Sequence, residues 1–375
     1  MSPDTITRLD SMPRPAAVSH RRAGGGTRAR IAAIGTANPA TSYSQQDVLD
    51  RYRIEDRRIC QMFLNSAIER RFLTLPPTGA DGLPAVETQG ELLKKHSSNA
   101  IVVGAQALQR CVEQGGLRLG DIAYLCCVTT TGFLTPGLSA LLIKELGLRT
   151  NCARADIVGM GCNAGLNGLT AAAAWAQANP GKLAIMLCVE ICSAAYVFDG
   201  TMRTAVVNSL FGDGAAAVAL TVQETPCARL PTVLGFASGV VPEAIDAMRF
   251  DWNDTHGKFS FVLAQDVPYV VGANAERVID QLLGEHGLRR SEIAHWLLHS
   301  GGKKVIDSVK VNLGLTAHDL RHTTSVLRDF GNMSSGSFLF SYERLLAEGV
   351  IGEGEYGVMM TMGPGATIEA CLLHW

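Results

Sequence analysis

Two hydrophobic patterns alternate along this chain. Short unbroken apolar runs at 31–35, 124–128, 183–190, 295–299 and 356–361 predict strands buried on both faces. Between them lie longer stretches with small or apolar residues at helical spacing, at 97–111, 138–146, 267–283 and 303–313. Ser44 reads as the cap of an early helix, and the arginine-rich stretch 57–71 as a second, basic one. Residues 75–85 are a loop rich in Pro and Gly. Residues 211–220 are a glycine turn into a strand, and 331–340 lead into a helix. The stretch 225–265 fits neither pattern and reads as irregular.

Unbroken apolar strands separated by helices indicate an α/β fold whose sheet is covered on both faces. The expected organisation is a mobile polar tail at 1–28, an N-terminal α/β half at 29–224 and a similar C-terminal half at 225–375. Spacing alone shows no internal repeat.

The most informative segment is 153–181. It reads as a strand ending at Gly159 and Gly161, then an alanine-rich helix stopped by Asn179, Pro180 and Gly181. Cys162 therefore sits at a helix N-terminus, where the dipole favours a thiolate and the glycines let a carbonyl approach the backbone. A buried structural cysteine fits the same segment. His299 closes an apolar strand just before Ser300, Gly301 and Gly302, and Asn332 lies on a tight turn before a helix. Taken singly, each suits a structural role. Together, a thiol, an imidazole and an amide at element ends supply a nucleophile and two neutral donors for an oxyanion, the set needed for carbon–carbon bond formation with thioesters.

Composition narrows the choice. With 47% hydrophobic and 18% charged residues over 375 positions the chain can bury a large core, and a net charge of −2 gives no reason to expect nucleic acid or an anionic membrane. No apolar run reaches bilayer length, and the N-terminus lacks the apolar core of a signal peptide, so a cytoplasmic protein is expected. The ten scattered cysteines suit a reduced interior; Cys188 and Cys192 lack partners at metal-binding spacing, so no metal is expected.

The elements Gly161 to Gly165 around Cys162, Leu210 to Ala215, His299 to Gly302, Gly331 to Ser335 and Gly363 to Gly365 stand in the order and spacing of the type III polyketide synthases. From about residue 30 to 375 the chain resembles this chalcone-synthase-like branch of the thiolase superfamily. The wording of Val86 to Leu93, Gly159 to Gly165 and His299 to Lys304 resembles bacterial members that form 3,5-dihydroxyphenylacetyl-CoA. The resemblance implies a five-layered αβαβα thiolase-like fold with two similar halves and a homodimer. It implies Cys162, His299 and Asn332 as the catalytic triad, with Phe211 at a gate and Phe261, Cys192, Ala195 and Ser334 lining the substrate pocket. Malonyl-CoA is the implied substrate, with no cofactor beyond CoA thioesters and with accessory biosynthetic proteins as possible partners.

Several positions depart from the plant pattern. Arg58 matches one of three basic CoA-binding positions, but Gln61 and Asn65 stand at the others, which leaves Arg58, Lys303 and Lys304 as candidates for the CoA phosphates. Cys192 and Ala195 replace two cavity threonines, and Thr135 replaces a methionine that reaches into the partner subunit. A malonyl-primed aromatic product is therefore expected, with tetrahydroxynaphthalene, alkylresorcinol or β-ketoacyl carrier-protein synthase III chemistry as alternatives.

Overall fold

The computed structural model describes residues 28–222 and 230–375; all of the expected tail except Arg28, and Cys227 with it, lie outside these. The first apolar run forms β1 (Arg30–Ala37), followed by β2 (Ser42–Ser44) and α1 (Gln45–Arg51). Ser44 caps α1 as expected, in a capping box whose second member is Asp47. The basic helix is shorter than the sequence suggests. α2 (Arg57–Leu64) stops after two turns, Ala67 adopts a left-handed conformation, and β3 (Arg70–Phe72) then pairs with β2. The arginines of 70–71 thus belong to a strand, and Arg71 points inward.

Helix α3 (Gln89–Gln114) begins earlier than its apolar pattern, because Thr88 and Glu91 form a second capping box. β4 (Ile122–Thr129), α4 (Leu138–Leu146), β5 (Ala153–Val158), α5 (Ala164–Ala178) and β6 (Leu183–Glu190) follow the expected alternation. α6 (Met202–Asn208) and β7 (Gly214–Thr221) complete it.

The stretch expected to be irregular contains three strands, β8 (Thr232–Val240), β9 (Met248–Asn253) and β10 (Lys258–Leu263). Glycines hide β8 from sequence reading. A Cβ on Gly235 would lie 2.6 Å from the His286 ring and one on Gly239 2.8 Å from Val278, so the covering helix demands glycine in mid-strand. That helix is α7 (Val267–Glu285). β11 (Ile293–Leu298), α8 (Lys303–Leu313), α9 (Arg321–Phe330), α10 (Ser337–Glu348), β12 (Tyr356–Gly363) and β13 (Thr367–His374) complete the chain.

Nine of the strands form one sheet in the order β11-β12-β13-β8-β1-β7-β6-β4-β5, whose halves meet through a single β1–β8 pairing, Arg30 with Thr232, while β2–β3 and β9–β10 are separate two-stranded sheets. From that seam, β1, β7 and β6 run antiparallel and β6 and β4 parallel. On the other side β8, β13 and β12 run antiparallel and β12 and β11 parallel. The two halves therefore share one topology that no sequence spacing reveals. α5 packs on β4, β6 and β7 of one half and on β12 and β13 of the other, while α10 packs on β1, β11 and β12. With α3 and α4 outside the first half and α7 and α8 outside the second, the layers read αβαβα. Two buried helices thus enter the seam between half-sheets, with Cys162 and Asn332 on the segments that lead into them. Among the described residues no helix is long and apolar enough to cross a membrane, and no cluster of His, Cys, Asp and Glu is arranged to hold a metal ion.

Candidate active site

Cys162 stands between β5 and α5, where backbone conformation leaves little choice of residue. Gly159 and Gly161 have φ of 78° and 87°, and a Cβ on Gly161 would run into the Pro364 ring. The Gly161 N–H donates to Thr130 Oγ1 at 2.9 Å, and Thr361 Oγ1 donates to the Asn163 carbonyl at 3.3 Å, so both half-sheets grip the turn. Gly165, without a side chain, lets the Ser335 carbonyl and the Phe338 ring of the facing segment press against α5. The result is a thiol 7% exposed, with Sγ 3.5 Å from Ser334 Oγ.

Asn332 occupies the matching place before α10. Its N–H donates to the Leu210 carbonyl at 2.8 Å, and its carbonyl accepts from Gly212 N–H at 2.9 Å, so Asn332 is stitched beside Phe211. Its Oδ1 accepts the Ser334 N–H at 2.8 Å. That bond fixes the orientation of the amide, whose NH2 has no hydrogen-bond partner among the described residues. Ser334 holds a left-handed φ of 48°, the strain that turns its N–H back onto Asn332.

His299 follows β11, its N–H bonded to the Met360 carbonyl at 2.8 Å. Ser300 Oγ donates to the Gly331 carbonyl at 3.0 Å, which ties the histidine loop to the asparagine loop. The imidazole is 2% exposed, and its buried Nδ1 has no protein partner. Three loops from different elements are thereby joined, Cys162 to Ser334, Ser334 to Asn332 and Ser300 to Gly331.

Burial dominates the electrostatics. It pushes the Cys162 thiol up to about 12 and the His299 imidazole down to about 3. Desolvation thus opposes the thiolate expected from sequence, and burial disfavours the charged form of both groups. Glu190, fully buried at the end of β6, adds to this by raising the thiol further. Its carboxylate accepts Thr130 N–H (3.0 Å), Thr131 N–H (3.1 Å), Thr131 Oγ1–H (2.9 Å) and Ser335 Oγ–H (2.6 Å). Sequence reading missed Glu190, although a carboxylate closing an otherwise apolar strand was a visible signal.

Of the pocket residues expected from sequence, Ser334 lies beside Cys162 Sγ and the other four belong to or pack on one buried apolar cluster. Phe211, Phe261, Cys192 and Cys162 share it, with Ala195 packed against it. Tyr196, also missed, is its centre: its ring stacks on Phe211 at 3.9 Å and meets Phe261 edge-on at 5.2 Å, while Phe250 meets Phe261 at 4.9 Å. Cys192 Sγ lies 4.0 Å from the Asn332 carbonyl. Trp252 does not join them; it is half exposed on the β9–β10 hairpin, edge-on to Phe259. A cavity of about 300 Å³ opens between that hairpin and the 76–87 loop, with Tyr52, Phe198, Lys258 and Phe259 in its walls. The three CoA candidates do not border it. Arg58 and Lys303 are exposed beside Asp56 and Asp307, and Lys304 is exposed on α8.

Known proteins resemble this chain over most of its length. Residues 16–223 match the family chalcone and stilbene synthases, N-terminal domain, and residues 237–375 match chalcone and stilbene synthases, C-terminal domain. The 3,5-dihydroxyphenylacetyl-CoA synthase of Streptomyces toyocaensis is 64% identical over 93% of this chain and 90% of its own length. The protein of the same name from Amycolatopsis balhimycina is 61% identical over 92% of this chain and 93% of its own. Among solved structures, PKS-I from the brown alga Ectocarpus siliculosus superposes with a TM-score of 0.86 at 27% identity, covering 94% of this chain and all of that one.

Proposed function

The chain belongs to the chalcone and stilbene synthase family and is a type III polyketide synthase, and from that premise we propose that it converts malonyl-CoA alone into 3,5-dihydroxyphenylacetyl-CoA. The observation that carries the catalytic reading is the Asn332 amide, oriented by Ser334 with its NH2 uncommitted in a buried site.

Cys162 attacks the thioester carbonyl of a first acyl-CoA while His299 takes the thiol proton; CoA leaves and the acyl group stays on sulfur. Burial keeps His299 neutral beforehand, leaving a ring nitrogen open for that proton, while it also disfavours the imidazolium that forms. The α5 N-terminus favours the negative sulfur that develops. A malonyl-CoA then loses CO2, and its electron pair moves into an enolate whose charge rests on the thioester oxygen. The Asn332 NH2 and the His299 ring serve as donors to that oxygen. Each such donor contributes about 3 to 4 kcal/mol where oxyanion holes have been dissected. Phe211, Tyr196 and Phe261 offer the malonyl carboxylate no hydration, which favours its departure. The enolate carbon attacks the Cys162 thioester, and repetition lengthens the chain.

Four malonyl-CoA supply eight acyl carbons after loss of four CO2 and three CoA. One carbon–carbon ring closure and loss of water give the dihydroxyphenylacetyl thioester. Arg58, Lys303 and Lys304, exposed on the surface, are the proposed phosphate contacts. A homodimer is supported by the edge strand β5 and the loops beside it, which leave Phe133, Val158 and Met160 exposed. The described cysteines are all free thiols, in keeping with action in the cytoplasm. The test is incubation of pure protein with malonyl-CoA alone and mass spectrometry of the products. The expected product is the CoA thioester; tetrahydroxynaphthalene, or inactivity until a long-chain acyl-CoA is added, would overturn the product assignment.

A further inference from the structure

Arg71 is the largest fully buried side chain of the described residues, 1% exposed, and the mechanism does not use it. Burial lowers its guanidinium to about 10, so the charge persists at neutral pH inside the protein. A buried charge of this kind is costly unless its donors are met. Here the two terminal nitrogens meet two main-chain carbonyls and one side-chain amide oxygen, while Nε has no partner among the described residues. Nη1 donates to the Asn208 carbonyl at 2.5 Å and to the Phe211 carbonyl at 2.7 Å, and Nη2 donates to Gln45 Oε1 at 2.9 Å. Gln45 in turn donates from Nε2 to the Ser209 carbonyl at 2.7 Å.

These bonds fall on one turn, between the end of α6 and the start of β7. The 208, 209 and 211 carbonyls are taken by Arg71 and Gln45, and the remaining one, Leu210, accepts the Asn332 N–H. The same turn bonds Asn332 from the other side through Gly212 N–H. The arginine stem also lies against the residue before Asn332, since a Cβ on Gly331 would be 2.9 Å from Arg71 Cδ. Arg71 therefore grips the template on which Asn332 is laid, its own hydrogen bonds going to Asn208, Phe211 and Gln45.

We propose that Arg71 is a positioning residue that, through the 208–212 turn, aims the Asn332 amide at the enolate oxygen. The proposal rests on the reading of Asn332 as an enolate donor. The planar fork is the feature that matters: one nitrogen bridges two carbonyls while the other reaches Gln45, and a lysine ammonium cannot reproduce that geometry. Displacement of a catalytic group by about 1 Å is enough to cost on the order of a hundredfold in rate.

The experiment compares folded Arg71→Lys, Asn332→Ala and the double variant in three assays: malonyl-CoA decarboxylation, its KM, and alkylation of Cys162 by iodoacetamide. Arg71→Lys should lower decarboxylation kcat about tenfold or more, with KM within about twofold and alkylation unchanged, because the backbone of the Cys162 turn is held by Thr130 and Thr361 rather than by the 208–212 turn. The double variant should decarboxylate no more slowly than Asn332→Ala, since both changes act through one amide. Unchanged decarboxylation in Arg71→Lys, a parallel fall in alkylation, or additive losses would overturn the proposal. Full activity in Asn332→Ala would instead remove the donor reading on which it rests. Should Arg71→Lys fail to fold, Gln45→Met, which loses the bonds to Arg71 and Ser209, carries the same comparison, with a kcat loss expected at constant alkylation rate.

Discussion

The Ser334 N–H donates to Asn332 Oδ1 at 2.8 Å, and this bond is what supports the proposed role of the asparagine NH2 as a donor to substrate. With Oδ1 committed, only the NH2 can face an incoming thioester oxygen. Replacing Asn332 by Ala should therefore cost about a hundredfold or more in malonyl-CoA decarboxylation. Asn332→Asp should be at least as damaging, since a carboxylate would meet the enolate with like charge. Release of labelled CO2 measures both, and a variant with near-normal release would make the residue structural.

Cys162→Ala separates the two halves of the reaction. Without sulfur no acyl group can be held, so elongation and covalent loading should vanish, while His299 and Asn332 still stabilise the enolate and slow decarboxylation should continue. Mass spectrometry of the protein after exposure to labelled malonyl-CoA checks loading, and gas release checks decarboxylation. Normal polyketide from this variant would refute the assignment of the nucleophile.

The strength of the glycine constraint at the nucleophile can be measured directly. Gly161→Ala would add a Cβ against the Pro364 ring at a φ of 87°, where side chains are disfavoured. The expected result is a loss of about 2 kcal/mol or more in urea unfolding and a site too distorted to elongate. Gly120→Ala, at a position with open space around its Cβ, is the control and should leave activity intact.

What the sequence revealed and what it hid follow from one physical distinction. Strands β4, β6 and β11 are buried on both faces and so are written as unbroken apolar runs, and α5 is written in alanine because two half-sheets close on it. Strand β8 is equally real, but the bulk of His286 and Val278 on α7 forces glycine into it, and its pattern disappears. Cys162, His299 and Asn332 were legible because each sits beside glycines that fold a tight turn. Tyr196, Glu190 and Arg71 were not, because their importance lies in contacts with residues distant in sequence. The burial that opposes a thiolate at Cys162 was hidden for a related reason: the helix N-terminus is visible in the sequence, whereas the depth of burial is a property of the assembled fold.

That depth has a consequence for stability against pH. Burial holds His299 down to about 3 and His96, fully buried beside Thr129 and Thr131, down to about 4. In the unfolded chain both take a proton near pH 6.5. Between about pH 6.5 and those folded values the unfolded state therefore binds more protons, and stability falls as pH falls. Each histidine should cost about 1 kcal/mol between pH 7 and 5.5. Buried Glu190 and Asp213, raised by desolvation, act with the opposite sign, so absolute stability is a poor readout. The difference between wild type and His299→Gln cancels their contribution. Urea unfolding at the two pH values should show the wild type losing about 1 kcal/mol more than the glutamine variant. An equal loss in both would mean that His299 titrates in the folded enzyme as it does in water, and the neutral imidazole required to accept the Cys162 proton would no longer be secured by burial.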